Sequence, residues 1–112
     1  AAALATMDVL EREPVHERLR LLGTRLRDGL VAAAARHGRR LVANGPGPVL
    51  FTWFLEDGEV RTFRDHLRAD FATYGRFAEL MLHEGVRVIP GGRWYLNAAH
   101  TDEHVDATLA AA

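Results

Sequence analysis

Apolar residues recur at two different periods along this chain, and each change of period marks a new element. Leu4, Met7 and Leu10 share one face of a predicted helix from Ala1 to about Arg12, with Ala between them. Pro14 interrupts that helix but suits the first turn of a second one, where its missing N–H goes unneeded. Val15, Leu19, Leu22, Leu26, Leu30 and Ala33 then recur at spacings of three and four. Glu17, Arg18, Arg20, Arg25, Arg27 and Asp28 occupy the opposite face. Gly38 stands where a helix C-terminus takes a left-handed residue, and Arg36 and His37 complement the dipole there.

The period then shortens. Leu41 to Asn44 reads as a short strand, and Gly45, Pro46, Gly47 and Pro48 as a rigid turn. Val49 to Leu55 is nearly continuous apolar and aromatic, the pattern of a strand covered on both faces. Glu56 to Glu59 ends it, and Val60 to Ala69 is mixed, an irregular segment or a short helix. Asp70 is a good N-cap for a third long helix, with Phe71, Tyr74, Phe77, Ala78, Met81 and Leu82 as its buried stripe and Gly85 as its stop. Val86 to Ile89 and Trp94 to Asn97 read as short strands around a turn at Pro90 to Arg93. Thr101 caps a last helix, although His104 stands where a full capping box would carry Glu or Gln.

The order α-α-β-β-α-β-β-α predicts an α+β fold: a small mixed or antiparallel sheet of three to four strands with helices on one face. Residues 1–112 are expected to form a single domain, a length that can bury its own core. Charge and composition narrow the function. All 14 basic residues are Arg, 15 acids are interspersed with them, and the net charge is −1, so a nucleic-acid surface is not expected. No apolar run approaches a membrane span, and a cytoplasmic protein is expected. The first residues carry no basic n-region and start inside a helical pattern, as in an excised domain rather than a signal peptide. The chain has no Cys and no Lys, so neither thiolate chemistry nor a side-chain Schiff base is open to it.

Four features carry candidate chemistry. Arg93 presents the parallel donors that fit a carboxylate, or else is an exposed hairpin residue stacked on Trp94 or Tyr95. Trp94 and Tyr95 line a substrate pocket or pack onto the sheet or a neighbouring subunit. His100 and His104 are four apart, but His100 falls before the cap and no third ligand accompanies them, so no metal site is expected. The Gly45–Pro48 turn is not a phosphate loop, because its two Pro lack the amides such a loop uses.

The segment from Gly85 to Asp106 resembles the closing segment of class III pyridoxal-phosphate (PLP) aminotransferases, above all the glutamate-1-semialdehyde aminomutase branch. The run Ala99, His100, Thr101, Glu103, Asp106 carries that likeness, following a hairpin. Ala3–Leu10, Leu19–Leu30, Gly45–Leu55 and Arg68–Pro90 resemble, in the same order, the entry helix, long helix, strand and helix–strand pair of that family's small C-terminal domain. The resemblance implies a supporting role. The aldimine lysine, the acid facing the pyridinium nitrogen and the phosphate turns belong to a large domain upstream, so this chain is expected to hold no cofactor and to be inert alone. PLP belongs to the parent enzyme. The implied partners are the large PLP-binding domain of the same polypeptide, a second subunit, and an amino or keto acid substrate. The semialdehyde branch usually places Ser-Gln-Phe-Glu ahead of the Ala-His-Thr run. Here Gly91, Gly92, Arg93, Trp94 and Tyr95 offer no acid, which argues for a transaminase with another, anionic substrate. The competing reading is a freestanding α+β ligand-binding or protein-interaction module.

Overall fold

A 22-residue helix with a continuous apolar stripe needs a surface to cover, and the arrangement of the chain follows from how it finds one. The structure, a computed structural model, describes residues 1–112. Helix α1 (Ala2–Arg12) leads into α2 (Val15–Arg36), then β1 (Leu41–Asn44), β2 (Val49–Phe54), the short α3 (Phe63–His66), α4 (Phe71–His83), β3 (Arg93–Tyr95) and α5 (Asp102–Ala111). The strands form one antiparallel sheet in the order β1-β2-β3. This is the predicted α+β fold.

All six stripe residues of α2 are buried: Val15, Leu19, Leu22, Leu26, Leu30 and Ala33. Leu22, Leu26 and Leu30 join Leu41, Leu50, Tyr74, Ala78, Met81, Val88, Trp94 and Val105 in one core between the sheet and helices α2, α4 and α5. Each of those leucines, fully withdrawn from water, contributes about 2 kcal/mol of transfer free energy. The polar face of α2 also finds partners. Arg25 bridges Asp102 at 2.7 Å and Asp106 as well, and the Arg18 guanidinium donates to the Ala98 carbonyl, so that face receives α5. Gly29 leaves room for Leu109, whose side chain lies where a Cβ would stand.

Two turns depend on absent side chains. The helical Gly23 lies so close to the β1–β2 turn that a Cβ would fall 1.9 Å from the Gly47 carbonyl oxygen, so the long helix rests directly on the Gly45–Pro48 turn. Gly92, at φ 85°, would drive a Cβ to 2.3 Å from the Thr52 carbonyl oxygen, and its own carbonyl accepts from the Thr52 N–H.

The two faces of β2 go to different cores. Leu50, Thr52 and Phe54 face the helices. Trp53 and Leu55 join Val60 and Ala69 in a second cluster on the other face, flanked by Val42 and Phe51. The continuous apolar run of β2 is thus covered on both sides, by helices on one and by α3 with its loops on the other.

Several expectations need correction. Helix α1 forms, but none of its residues is buried: Leu4, Met7 and Leu10 are all exposed. Helical period groups those side chains on a face without supplying a surface to cover it. This unpacked helix also explains a radius of gyration of 15.3 Å, against about 13 Å for a compact chain of this length. Val86–Ile89 is not a strand. Its alternation reports only that Val86 and Val88 pack on the core, while the Val86 N–H turns back to the Met81 carbonyl to close α4. The final strand is Arg93–Tyr95 rather than Trp94–Asn97. Phe71 and Leu82 of the α4 stripe are exposed, and Phe77 is half-buried. The His104 side chain does complete a capping box: its Nδ1 accepts from the Thr101 N–H at 3.1 Å, a role imidazole can fill when its Nδ1 is unprotonated.

Candidate functional site

Strand alternation decides where the three hairpin residues point. β3 pairs with β2 in the register Val49 with Tyr95, Leu50 with Trp94 and Phe51 with Arg93. Arg93 and Tyr95 therefore lie on the face away from α2, α4 and α5, and Trp94 lies on the helix side. Arg93 is exposed and has no carboxylate within ion-pair distance, and Tyr95 is 55% exposed. Trp94 is buried. The structure brings Arg93 and Tyr95 together and places Trp94 behind them.

What holds this edge is a buried polar triad that the apolar pattern did not announce. The Trp94 indole N–H lies 2.9 Å from Thr52 Oγ1 and 3.0 Å from the Tyr74 hydroxyl, and those two oxygens are 2.7 Å apart. Thr52 is wholly inaccessible and Tyr74 nearly so. Burial pushes the Tyr74 phenol up, while the hydrogen bonds from Thr52 and Trp94 work against that. One group from each of β2, α4 and β3 meets here, so the triad fixes the rotamer of Trp94 and with it the register of β3.

Around Arg93 and Tyr95 the sheet face is aromatic. Phe51 stacks on Trp53 with centroids 5.7 Å apart, and Trp53 meets the His66 ring edge-on at 5.2 Å. His66 in turn touches Phe63 and Phe71, both exposed. Trp53 Nε1 and His66 Nδ1 are withdrawn from solvent and have no hydrogen-bond partner, an arrangement that costs about 1–3 kcal/mol for each group left unpaired. Sequence pattern does not single out Trp53 and reads His66 as a solvated helix or loop position, whereas its Nδ1 is withdrawn from solvent. The only signal was that the β2 run has no polar alternation, which implied a cover on its second face without saying what covers it.

Beneath this face, caps position α3 and α4. Thr62 and Asp65 form a reciprocal capping box on α3. Asp70 caps α4 through the Thr73 N–H at 2.9 Å. The Thr73 hydroxyl, then its N–H, hold the Asp70 carboxyl below the usual carboxylate range, and Thr62 does the same for Asp65. His100 accepts the Asn97 N–H on Nδ1 at 3.0 Å and stands with its ring 6.0 Å from His104. No group of three metal-ligating side chains occurs, and no helix is long and apolar enough to cross a membrane.

No protein-family model matches the sequence. The chain is 38% identical over 113 aligned residues to glutamate-1-semialdehyde 2,1-aminomutase of Desulforudis audaxviator (strain MP104C), covering 99% of this chain and 26% of that protein. Its fold superposes on the PLP internal aldimine form of the FumI protein of Sphingopyxis sp. MTA144 with a TM-score of 0.81 at 33% identity, over 98% of this chain and 24% of that one. A β-phenylalanine aminotransferase from Variovorax paradoxus gives a TM-score of 0.73 at 28% identity, over 83% and 21% of the two chains. The chain thus spans about a quarter of the length of the relatives it matches. In sequence and in fold, the chain corresponds to the small C-terminal domain of the class III PLP-dependent aminotransferases, in their glutamate-1-semialdehyde aminomutase-like branch.

Proposed function

We propose that residues 1–112 form a single domain that closes one side of the active-site cleft of a PLP-dependent class III aminotransferase and helps select its substrate. The observation that carries this reading is Arg93, a guanidinium without a carboxylate partner, held beside Tyr95 on an aromatic sheet face. That face would meet the large PLP-binding domain of the same polypeptide, with a second subunit nearby.

The residues of this chain do not themselves fit the cofactor. An internal aldimine needs an amine side chain, and the sequence has no Lys. The proposed role of the chain is confined to binding and orientation: Arg93 takes an anionic group of an amino or keto acid in a bidentate contact, Tyr95 walls the site, and Trp94 positions both from behind. The acid that the aminomutase branch carries in this hairpin is absent, so transamination of an anionic substrate is favoured over the mutase reaction. In the full-length enzyme, Arg93→Ala removes a charge-assisted contact of about 2 kcal/mol, roughly 30-fold in kcat/KM for an acidic substrate. Steady-state kinetics measure it directly. An unchanged kcat/KM would remove Arg93 from the site.

A further inference from the structure

We propose that Arg87, His100 and His104, beside the Arg93–Tyr95 strand, form a second site that binds a small oxyanion. These residues line both of two adjoining surface concavities, one of ≈ 200 Å³ and one of ≈ 470 Å³. Val86 and Thr108 also border both; Val105 lines the smaller, as do Arg93, Trp94 and Tyr95, none of which reaches the larger. No Asp or Glu lines either concavity.

The backbone meets both imidazoles at Nδ1. The Asn97 N–H donates to His100 Nδ1 at 3.0 Å, and the Thr101 N–H donates to His104 Nδ1 at 3.1 Å. A backbone N–H can only donate, so His104 Nδ1 accepts and that ring carries its proton on Nε2, whereas His100 Nδ1 stands 3.0 Å from both the Asn97 N–H and the Asn97 Oδ1. The two rings stand 6.0 Å apart, and neither Nε2 is engaged within the chain. Arg87 adds a guanidinium on the segment between α4 and β3. Seven of the 14 Arg in this chain lie within ion-pair distance of a carboxylate, and Arg87 is not among them.

The neighbouring acids of α5 are already engaged. Asp102 and Asp106 pair with Arg25, and Glu103 accepts from the Thr101 hydroxyl at 3.1 Å. Thr108 spends its hydroxyl proton on the His104 carbonyl and offers none to a ligand. A guanidinium, two imidazoles and no facing acid define a site for phosphate or carboxylate oxygens, with Val86 and Val105 providing an apolar wall. The larger concavity, which Arg93 does not line, carries the proposal without the role given to Arg93.

The test is an NMR titration of the 112-residue chain with inorganic phosphate and, separately, sodium acetate, at constant ionic strength held with chloride. Saturable shifts at the His100 and His104 rings and the Arg87 side chain are expected, with a Kd on the order of 1 mM. Saturation by phosphate alone identifies a phosphate site, and comparable saturation by acetate identifies a carboxylate site. His104→Glu separates binding from folding, because Glu at this position still accepts the Thr101 N–H and completes the capping box. Its Tm should stay within about 4 °C of the parent, equivalent to about 1 kcal/mol, while phosphate affinity falls tenfold or more. Arg87→Ala, on an exposed side chain, should weaken phosphate by a similar factor. Unchanged phosphate affinity in both variants, or shifts reproduced by chloride, would overturn the proposal.

Discussion

The triad of Thr52, Tyr74 and Trp94 makes a quantitative prediction about non-additivity. The indole N–H has two acceptors, at 2.9 Å and 3.0 Å, so losing either oxygen leaves it paired with the other. Thr52→Val keeps the side-chain shape and deletes one hydroxyl; Tyr74→Phe deletes the other. Each single variant should lose about 1 kcal/mol, the net worth of an intramolecular hydrogen bond, or about 4 °C in Tm for a chain of this size. The double variant is different in kind. Both acceptors vanish, and a buried N–H is left with neither protein nor water, which adds about 2 kcal/mol of desolvation cost. The expected total is therefore about 4 kcal/mol, with a coupling energy near 2 kcal/mol. Urea denaturation followed by far-UV circular dichroism gives all four corners of the cycle. Additivity within about 0.5 kcal/mol would refute the claim that the two hydroxyls serve one donor.

Two further predictions concern glycine packing and alkaline pH. Gly23→Ala should destabilise by about 3 kcal/mol despite its gain in helix propensity, because the new methyl meets the Gly47 backbone. Gly75→Ala, with nothing within 4 Å of its Cβ, should stabilise by about 1 kcal/mol, and thermal melts of the two should move in opposite directions. The Tyr74 phenol is raised by burial, so above pH 10 the unfolded chain loses a proton that the folded chain keeps, and stability falls as pH rises. With no Lys or Cys titrating in that range, Tyr74→Phe should visibly flatten the alkaline limb of a Tm-against-pH curve, and an unchanged slope would show that the phenol is not protected.

The legible parts of this fold are those where local chemistry and burial coincide. The α2 stripe was readable because six apolar residues at helical spacing had one surface to meet, and Gly38 and Gly85 marked helix ends through their left-handed φ of 68° and 83°. Asp70 and Thr101 were readable as caps because a short polar side chain before an amphipathic run has few other uses. Period failed where it was asked to name a partner. The alternation at Val86 and Val88 has the period of a ladder without forming one, and the apolar face of α1 has nothing to cover it.

The same limit governs the candidate site. Arg93, Trp94 and Tyr95 are adjacent in sequence, and the hairpin likeness treated them as one group. Only the register with Val49, Leu50 and Phe51 separates them, sending Trp94 into a polar triad and leaving Arg93 and Tyr95 on the opposite face. Thr52 and Tyr74, which hold Trp94, looked like a strand residue and a stripe residue. A buried hydroxyl has no sequence period of its own, and its partner lies 22 residues away on another element. The edge that carries Arg93 therefore rests on a contact that local pattern cannot encode: a hydroxyl pair on β2 and α4 holds Trp94, and strand alternation then puts Arg93 on the opposite face. If that pair is what fixes the strand, then the Thr52→Val, Tyr74→Phe double variant should disturb Arg93 without touching it, and substrate selection in the full-length enzyme would fail from behind the sheet.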